Sequence, residues 1–291
     1  MFIRRRDTFL PLLAAPLLGA SSARVLSIET ITRQPAHYNG WPTLVLRRNG
    51  ELCIVYSGGR EAHVCPFGRV ELMKSRDGGK TWSYPQILMD SPIDDRDAGI
   101  VETASGALLV STFTSLAYES GLAKVKQYPN AWPAERLERW QAVQRATSAT
   151  ERQSLLGSWM LRSTDGGLTW SAPYRVEMMS PHGPIATLKG RLLFPAKLYP
   201  AGKNPIGVWE TLDDGLAWRR LASIPARPGD DPEQYHELHG VEAANGDLVV
   251  HIRNHNQPNA QETLQSVSRD GGKSWSVPAA IGVWGLPSHL I

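Results

Sequence analysis

The stretch "SRDGGKTW", Ser75 to Trp82, returns near the other end of the chain as "SRDGGKSW", Ser268 to Trp275. Two further copies lie between them: "STDGGLTW" from Ser163 to Trp170, and a worn "TLDDGLAW" from Thr211 to Trp218. A motif recurring this way marks an internal repeat, and repeats decide architecture before composition does. Asp followed by Gly-Gly suits a tight hairpin: the carboxylate accepts backbone N–H bonds, Gly supplies positive φ, and the Trp packs on the sheet. Asp77, Asp165, Asp213 and Asp270 are therefore structural staples. One carboxylate per turn is a poor cation site, so no metal and no cofactor is expected.

Before each box lie strand-like runs joined by polar, Gly-containing turns, as in "WPTLVLRRNGELCIVYSGG" (41–59) and "GVEAANGDLVVHIRNH" (240–255). Each unit reads strand, tight turn, strand, longer loop, strand, box, strand. Such a four-stranded antiparallel unit repeated around an axis is a blade of an all-β propeller. The units start near Asn39, Asp97, His182 and His239, and a fifth begins at "GLPSHLI" (285–291). This topology gathers the boxes at one end. The loops between second and third strands, and those between blades, emerge at the other, bringing together "GGREAHVCPFGR" (58–69), "SPIDDRDAG" (91–99), "MSPHGP" (179–184), "DDPEQYHELHG" (230–240) and "RNHNQPNAQE" (253–262). A polar mouth on a rigid sheet scaffold is where a site is expected.

An insert of about 118–157 interrupts the second unit. Its segments 133–146 and 148–156 are helical in pattern, the second with a Ser148 and Glu151 capping box. It forms a lid or specificity wall over the face that carries His63 and His239, or a helical pair packed on the blade flank.

The first 23 residues join a basic start (Arg4, Arg5, Arg6) to an apolar stretch, Phe9 to Leu18, and small residues Ser21 and Ala23. This is an export signal, by a twin-arginine or an ordinary Sec route, with the mature chain, 24–291, beginning near Arg24 and lying in the periplasm or outside the cell. Its removal takes away three Arg and one Asp and lowers the formal charge from +3 to +1. Nucleic-acid binding then has no electrostatic support. No later run is long and apolar enough to span a membrane. Cys53 and Cys65 either pair in the oxidising compartment or stand as a buried thiol and a loop thiol.

The repeated S-x-D-x-G-x-x-W boxes on four-stranded units resemble the sialidase (neuraminidase) superfamily, the Asp-box or BNR-repeat proteins. The resemblance implies a six-bladed propeller, here truncated after about four blades, and an exo-glycosidase. "VEAANGDLVVHIR" followed by "SRDGGKSW" is similar to the family's pattern of a Glu, a Gly turn and an Arg at the end of the next strand. It implies that Glu242 assists a tyrosine nucleophile and that Arg253 is one of three arginines gripping the substrate carboxylate, the hairpin between them bringing both to the mouth. A sugar acid carries negative charge beside the reacting carbon, so a phenol attacks it better than a carboxylate, and Arg forks bind the acid in bidentate fashion. A Glu and an Arg on adjacent strands also pair for stability alone.

The first unit departs from the family. "NGWP" puts Gly40 where the family has an Arg, and "EAHVCPFGR" puts Cys65 or Pro66 where it has the acid Asp. Glu61 or His63 could donate the proton instead, and Arg60 or Arg96 could bind the acid from a new direction. In "DDRDAG", Asp94, Asp95 and Asp97 around Arg96 either shift one another's pKa for acid–base work, with Asp97 as the candidate, or form a self-satisfied turn. His182 and His239 are further candidates for substrate contact. The third arginine and the nucleophile are expected beyond Ile291, so residues 24–291 alone are expected to leave an open ring and not to cleave sialosides.

The function expected is therefore an exported exo-glycosidase releasing a terminal acidic, sialic acid-like sugar from glycans or glycoconjugates. The alternatives are a non-catalytic glycan-binding propeller, and a glycosidase or lyase for a different polysaccharide.

Overall fold

Each of the four boxes closes the turn between the last two strands of one antiparallel sheet, as the repeat predicts. The structure, a computed structural model, describes residues 25–32, 34, 36–128, 131–199, 205–285 and 288–290. The expected export segment, 1–23, lies outside them. Residues 25–32, in a unit of their own (1–33), form no helix or strand.

All four sheets belong to the second unit. Blade one is β1 (Tyr38–Leu46), β2 (Leu52–Arg60), β3 (Arg69–Ser75) and β4 (Gln86–Met89). Blade two starts with β5 (Asp94–Glu102) and β6 (Leu108–Ser115). It then carries helices α1 (Ala117–Gln127), α2 (Ala134–Ala146) and α3 (Ala149–Ser154), and ends with β7 (Ser158–Ser163) and β8 (Tyr174–Val176). In blade three the innermost strand is split into β9 (Met178–Met179) and β10 (Ile185–Ala186), followed by β11 (Leu192–Leu198), β12 (Ile206–Thr211) and β13 (Arg219–Ser223). Blade four is β14 (Tyr235–Glu242), β15 (Leu248–Asn254), β16 (Glu262–Ser268) and β17 (Ala279–Trp284). Within each blade the strands pair in chain order. Of the expected fifth unit, residues 285 and 288–290 are described and form no strand.

The core lies between blades. In β6, Leu108 and Val110 pack with Cys53, Val55 and Leu72 of blade one, whereas Leu109 packs with Leu192, Phe194 and Trp209 of blade three. Side chains alternate along a strand, so a sheet covered on both faces needs apolar residues at consecutive positions. Leu248, Val250 and Ile252 of β15 likewise meet Leu193 and Val208 of blade three.

The boxes work as their chemistry requires. Asp77 accepts the Thr81 N–H at 2.9 Å and the Thr81 hydroxyl at 2.6 Å, while Ser75 accepts the Gly79 N–H at 2.9 Å. Gly78 and Gly79 sit at φ 73° and 88°, which other residues reach only with strain. Asp270 repeats this network with Ser268 and Ser274. Asp213 keeps the Ala217 N–H but has no hydroxyl there to hold. The tryptophans are less uniform than the turns: Trp82 and Trp275 donate to Gly79 and Gly272 at 3.0 and 3.1 Å, whereas the buried indole nitrogens of Trp170 and Trp218 find no partner among the described residues.

The insert holds three helices rather than two. Ser148 caps α3 by accepting the Glu151 N–H at 3.1 Å. The α1 segment, with Gly121 in its middle and no side-chain cap, gave no helical signal. Tyr118, Leu122 and Trp140 pack on Cys65 and Ile93, so the insert is seated on blade one's mouth loop, beside His63. Glu61 fastens it there, accepting Arg139 Nε and Trp140 Nε1 at 2.9 Å each.

Beneath that loop, the fully buried Arg60 and Asp94 pair at 2.7 Å. Arg60 also donates to Ser57 Oγ at 2.6 Å and to the His63 carbonyl at 2.8 Å. Gly68 makes room, since a Cβ there would lie 2.2 Å from both Arg60 Nη1 and Asp94 Oδ1. Cys53 and Cys65 are both buried and free, the first in the interblade core and the second in the loop, its Sγ accepting the Glu61 N–H at 3.2 Å. Among the described residues no helix is long and apolar enough to cross a membrane.

Gly68→Ala must separate the buried pair, and breaking such a pair costs about 3–5 kcal/mol. We expect a loss of that order in the urea unfolding free energy. Glu61→Ala should leave the blades folded but speed proteolytic cleavage within 131–156 by about tenfold or more, since even one charged hydrogen bond is worth about 1.5 kcal/mol.

Candidate functional site at the propeller mouth

The inner strands do not run straight to the mouth. β1, β5 and β14 each shift register, between Gly40 and Thr43, Arg96 and Gly99, and His236 and His239. At each shift one non-glycine residue takes positive φ: Trp41 at 53°, Asp97 at 40° and Glu237 at 48°. In blade three the gap between β9 and β10 holds Gly183 at φ 74°, where a Cβ would strike the Gly99 backbone and Ser111 Oγ. Bulges re-aim side chains, and non-glycine residues in this region cluster at functional sites because the fold must hold them against strain.

These residues form one constellation. The half-buried Trp41 ring meets the edge of His63 at 5.0 Å and lies under the guanidinium groups of Arg96 at 4.8 Å and Arg60 at 5.1 Å. Arg253 Nη1 donates to Glu237 Oε2 at 2.6 Å. Among the described residues Arg96 keeps only long contacts to carboxylates, 3.8 Å to Asp94 and 3.9 Å to Asp97. Burial pushes the Asp97 carboxyl up to about 6, with Arg96 opposing and the Glu237 charge adding to the rise. Burial, reinforced by Arg96 and Arg60, lowers His63. Beside Arg253, His236 tilts against His255 at 4.6 Å and is pushed down to about 4 by burial and Lys197.

Of the residues singled out in the sequence, Arg253, Arg96, Asp97 and His63 come together here. Glu242 does not. It ends β14 opposite Leu248, whereas Arg253 stands opposite His236 at the strand's other end. Glu242 accepts the Leu188 N–H at 2.5 Å and so ties blade four to the hairpin of blade three at the box end. Glu102, in the matching V-E-x-x-x-G of blade two, holds Arg48 N at 2.8 Å in the same way. Aligning these two segments places Glu237 on Asp97, and that internal alignment was the signal that could have found Glu237.

Three other candidates are committed elsewhere. Glu61 holds the insert, Arg60 is saturated by its buried partners, and His239 lies inside β14 rather than on a loop. His239 contacts His182 at 5.1 Å, stacks on His289 at 4.2 Å and accepts the Leu290 N–H at 2.9 Å. Together they line a cavity of about 680 Å³ between the inner strands. Burial lowers His239, and pushes His182 down to about 4, so both are neutral at ordinary pH. Among the described residues no cluster of His, Cys, Asp and Glu has the geometry to hold a metal ion.

Behind the constellation, Asp95 accepts Ser91 N at 2.6 Å and Ser91 Oγ at 2.7 Å, and burial pushes it up to about 7 against those bonds. A raised carboxyl pKa means the folded chain holds a proton that the unfolded chain has shed above about pH 4, so this group costs stability as pH rises from about 4 to 7. Relative to wild type, Asp95→Asn should gain about 1.4 kcal/mol per pH unit across that window in urea unfolding, and the difference should be flat above it.

The BNR repeat-like domain family matches residues 129–286. A search of curated proteins finds none that matches. Among solved structures, a protein of unknown function from Dyadobacter fermentans superposes with a TM-score of 0.64 at 21% identity, over 89% of this chain and 73% of that one. A Hadza microbial sialidase gives 0.58 at 19%, over 82% and 46%, and the NanB sialidase from Streptococcus pneumoniae gives 0.63 at 14%, over 88% and 54%. The chain thus spans about half the length of these two sialidases. At such identities the likeness is one of fold. With its boxes, its four-stranded blades and the matched repeats, the chain belongs to the BNR repeat-like family and has the propeller fold of the sialidase superfamily.

Proposed function

We propose that the protein is an exported glycoside hydrolase of the sialidase type that releases a terminal acidic sugar at the propeller mouth. The observation that carries this reading is the Glu237–Arg253 pair, held on a strained bulge within the charge field of Arg96 and Asp97. It supplies what the family resemblance asks of a Glu and an Arg, with Glu237 in the role expected of Glu242. Arg253 and the underused Arg96 offer forks for a sugar carboxylate, Trp41 offers an aromatic face for the ring, and Glu237 activates the attacking oxygen. Export is supported by the basic and apolar start of the chain.

A second reading, a glycan-binding propeller or an enzyme for another polysaccharide, is favoured by Gly40. A Cβ there would lie 3.0 Å from the Tyr38 ring, so the arginine that the family places at this position would require that ring to move.

The test is hydrolysis of a fluorogenic sialoside by the protein expressed from its own gene, beside a glycan-array screen of the same preparation. Turnover is expected of a chain that carries the nucleophile, and none of residues 24–291 alone. Glu237→Gln should lower kcat by about 10²-fold or more, Arg253→Lys should mainly raise KM, and Glu242→Gln should leave both nearly unchanged. Array binding without turnover would favour the second reading.

A further inference from the structure

We infer that Asp97 is the proton donor of this site, placed on the innermost strand of blade two instead of the blade-one loop. The inference rests on the glycosidase reading above and assigns the one role that reading leaves open.

The other titratable groups of the site are already committed. Blade one's loop has Cys65 and Pro66 where the sialidase resemblance implies an acid. Glu61 in that loop is engaged by Arg139 and Trp140. His63 is held neutral by burial and by Arg96 and Arg60, which leaves it no proton to give at ordinary pH. Asp94 is bound by Arg60 and by the Cys65 N–H, and Asp95 by Ser91. Glu237 is bound by Arg253.

Asp97 differs from all of these. It is 4% exposed, and its Oδ1 has no hydrogen-bond partner among the described residues. Neighbouring Arg96 Nε, 3.9 Å away, is also buried and unpartnered by that measure. Buried polar atoms are nearly always paired, so two adjacent orphans point to a role toward a ligand. Positive φ on a bulge is the further mark of a side chain aimed by the backbone. Charged neighbours come from three blade elements: Arg96 and Asp94 on β5, Arg60 on β2 and Glu237 on β14. Burial outweighs the arginines among them, so the carboxyl keeps its proton up to about pH 6, which suits an acid working near neutrality.

The step balances as hydrolysis. The oxygen activated by Glu237 bonds to the anomeric carbon and passes its proton to Glu237, while the Asp97 carboxyl gives its proton to the glycosidic oxygen and the bond from that oxygen to the anomeric carbon breaks. The bonding pair stays on the glycosidic oxygen, which leaves as a neutral alcohol. A water that follows into the site displaces the first attacking oxygen from the anomeric carbon, giving its own proton to the Asp97 carboxylate while Glu237 returns its proton to the oxygen released.

The experiment compares Asp97→Asn with wild type on two sialosides, 4-methylumbelliferyl sialoside with a good leaving group and sialyllactose with a poor one. A proton donor matters mainly for the poor leaving group. Turnover of sialyllactose should fall by about 10²-fold or more, and that of the fluorogenic substrate by less than about tenfold. The alkaline limb of the sialyllactose pH profile should disappear in the variant. Equal losses on both substrates, or a change confined to KM, would show that Asp97 only binds the sugar and would overturn the assignment. A second measurement needs no turnover: the Asp97 carboxyl carbon, followed by NMR in the intact protein, should titrate near pH 6. Titration below pH 4 sinks the assignment even if hydrolysis is confirmed. A wild-type protein that cleaves neither substrate, with Asp97 titrating as expected, sinks the glycosidase reading and with it the donor role.

Discussion

Blades two and three each bury both of their faces, and the arrangement of the inner strands follows from that constraint. In β6 the consecutive residues Leu108, Leu109 and Val110 are divided between two interfaces, so blade two fits only between blades one and three. Burial of this kind is worth roughly 1.5–3 kcal/mol for each large side chain. The inner strands are thereby fixed as a rigid frame. Only a frame of that stiffness can hold Trp41, Asp97 and Glu237 in a backbone region that costs each of them about 1–3 kcal/mol.

The two ends of the frame divide the labour of the carboxylates. At the box end, acids accept backbone N–H groups: Asp77 and Asp270 within their own turns, Glu102 and Glu242 across to the preceding blade. These are satisfied groups with little left for a ligand. At the mouth, carboxylates meet guanidinium groups and aromatic rings and are less completely bonded. The same residue type thus serves cohesion at one end and chemistry at the other, according to whether a backbone donor is within reach.

Local chemistry explains what could be read in advance. The box turns, the strand order in each blade and the capped helix at Ser148 depend on residues close in sequence, and all appear as expected. Helix α1 was hidden because it has no capping side chain and carries Gly121. Arg96, Asp97 and His63 were singled out from residue type and loop class, and Arg253 from the family resemblance. Glu237 was not, because a bulge disturbs the alternation from which strand faces are read, and nothing in a Glu announces positive φ. Arg60 looked available because its partner Asp94 and the space left by Gly68 come from other segments.

The bulges carry a consequence for how such a site changes over generations. Trp41, Asp97 and Glu237 are an aromatic ring, a short acid and a longer acid, yet they occupy matching places in three blades with nearly the same backbone geometry. The conformation belongs to the strand and tolerates whichever side chain it is given. Exchanging one of these residues alters what the mouth can recognise while leaving the interblade core untouched. Propellers with the same blades can therefore drift to new ligands one position at a time, and sharing the architecture does not oblige two of them to share a reaction.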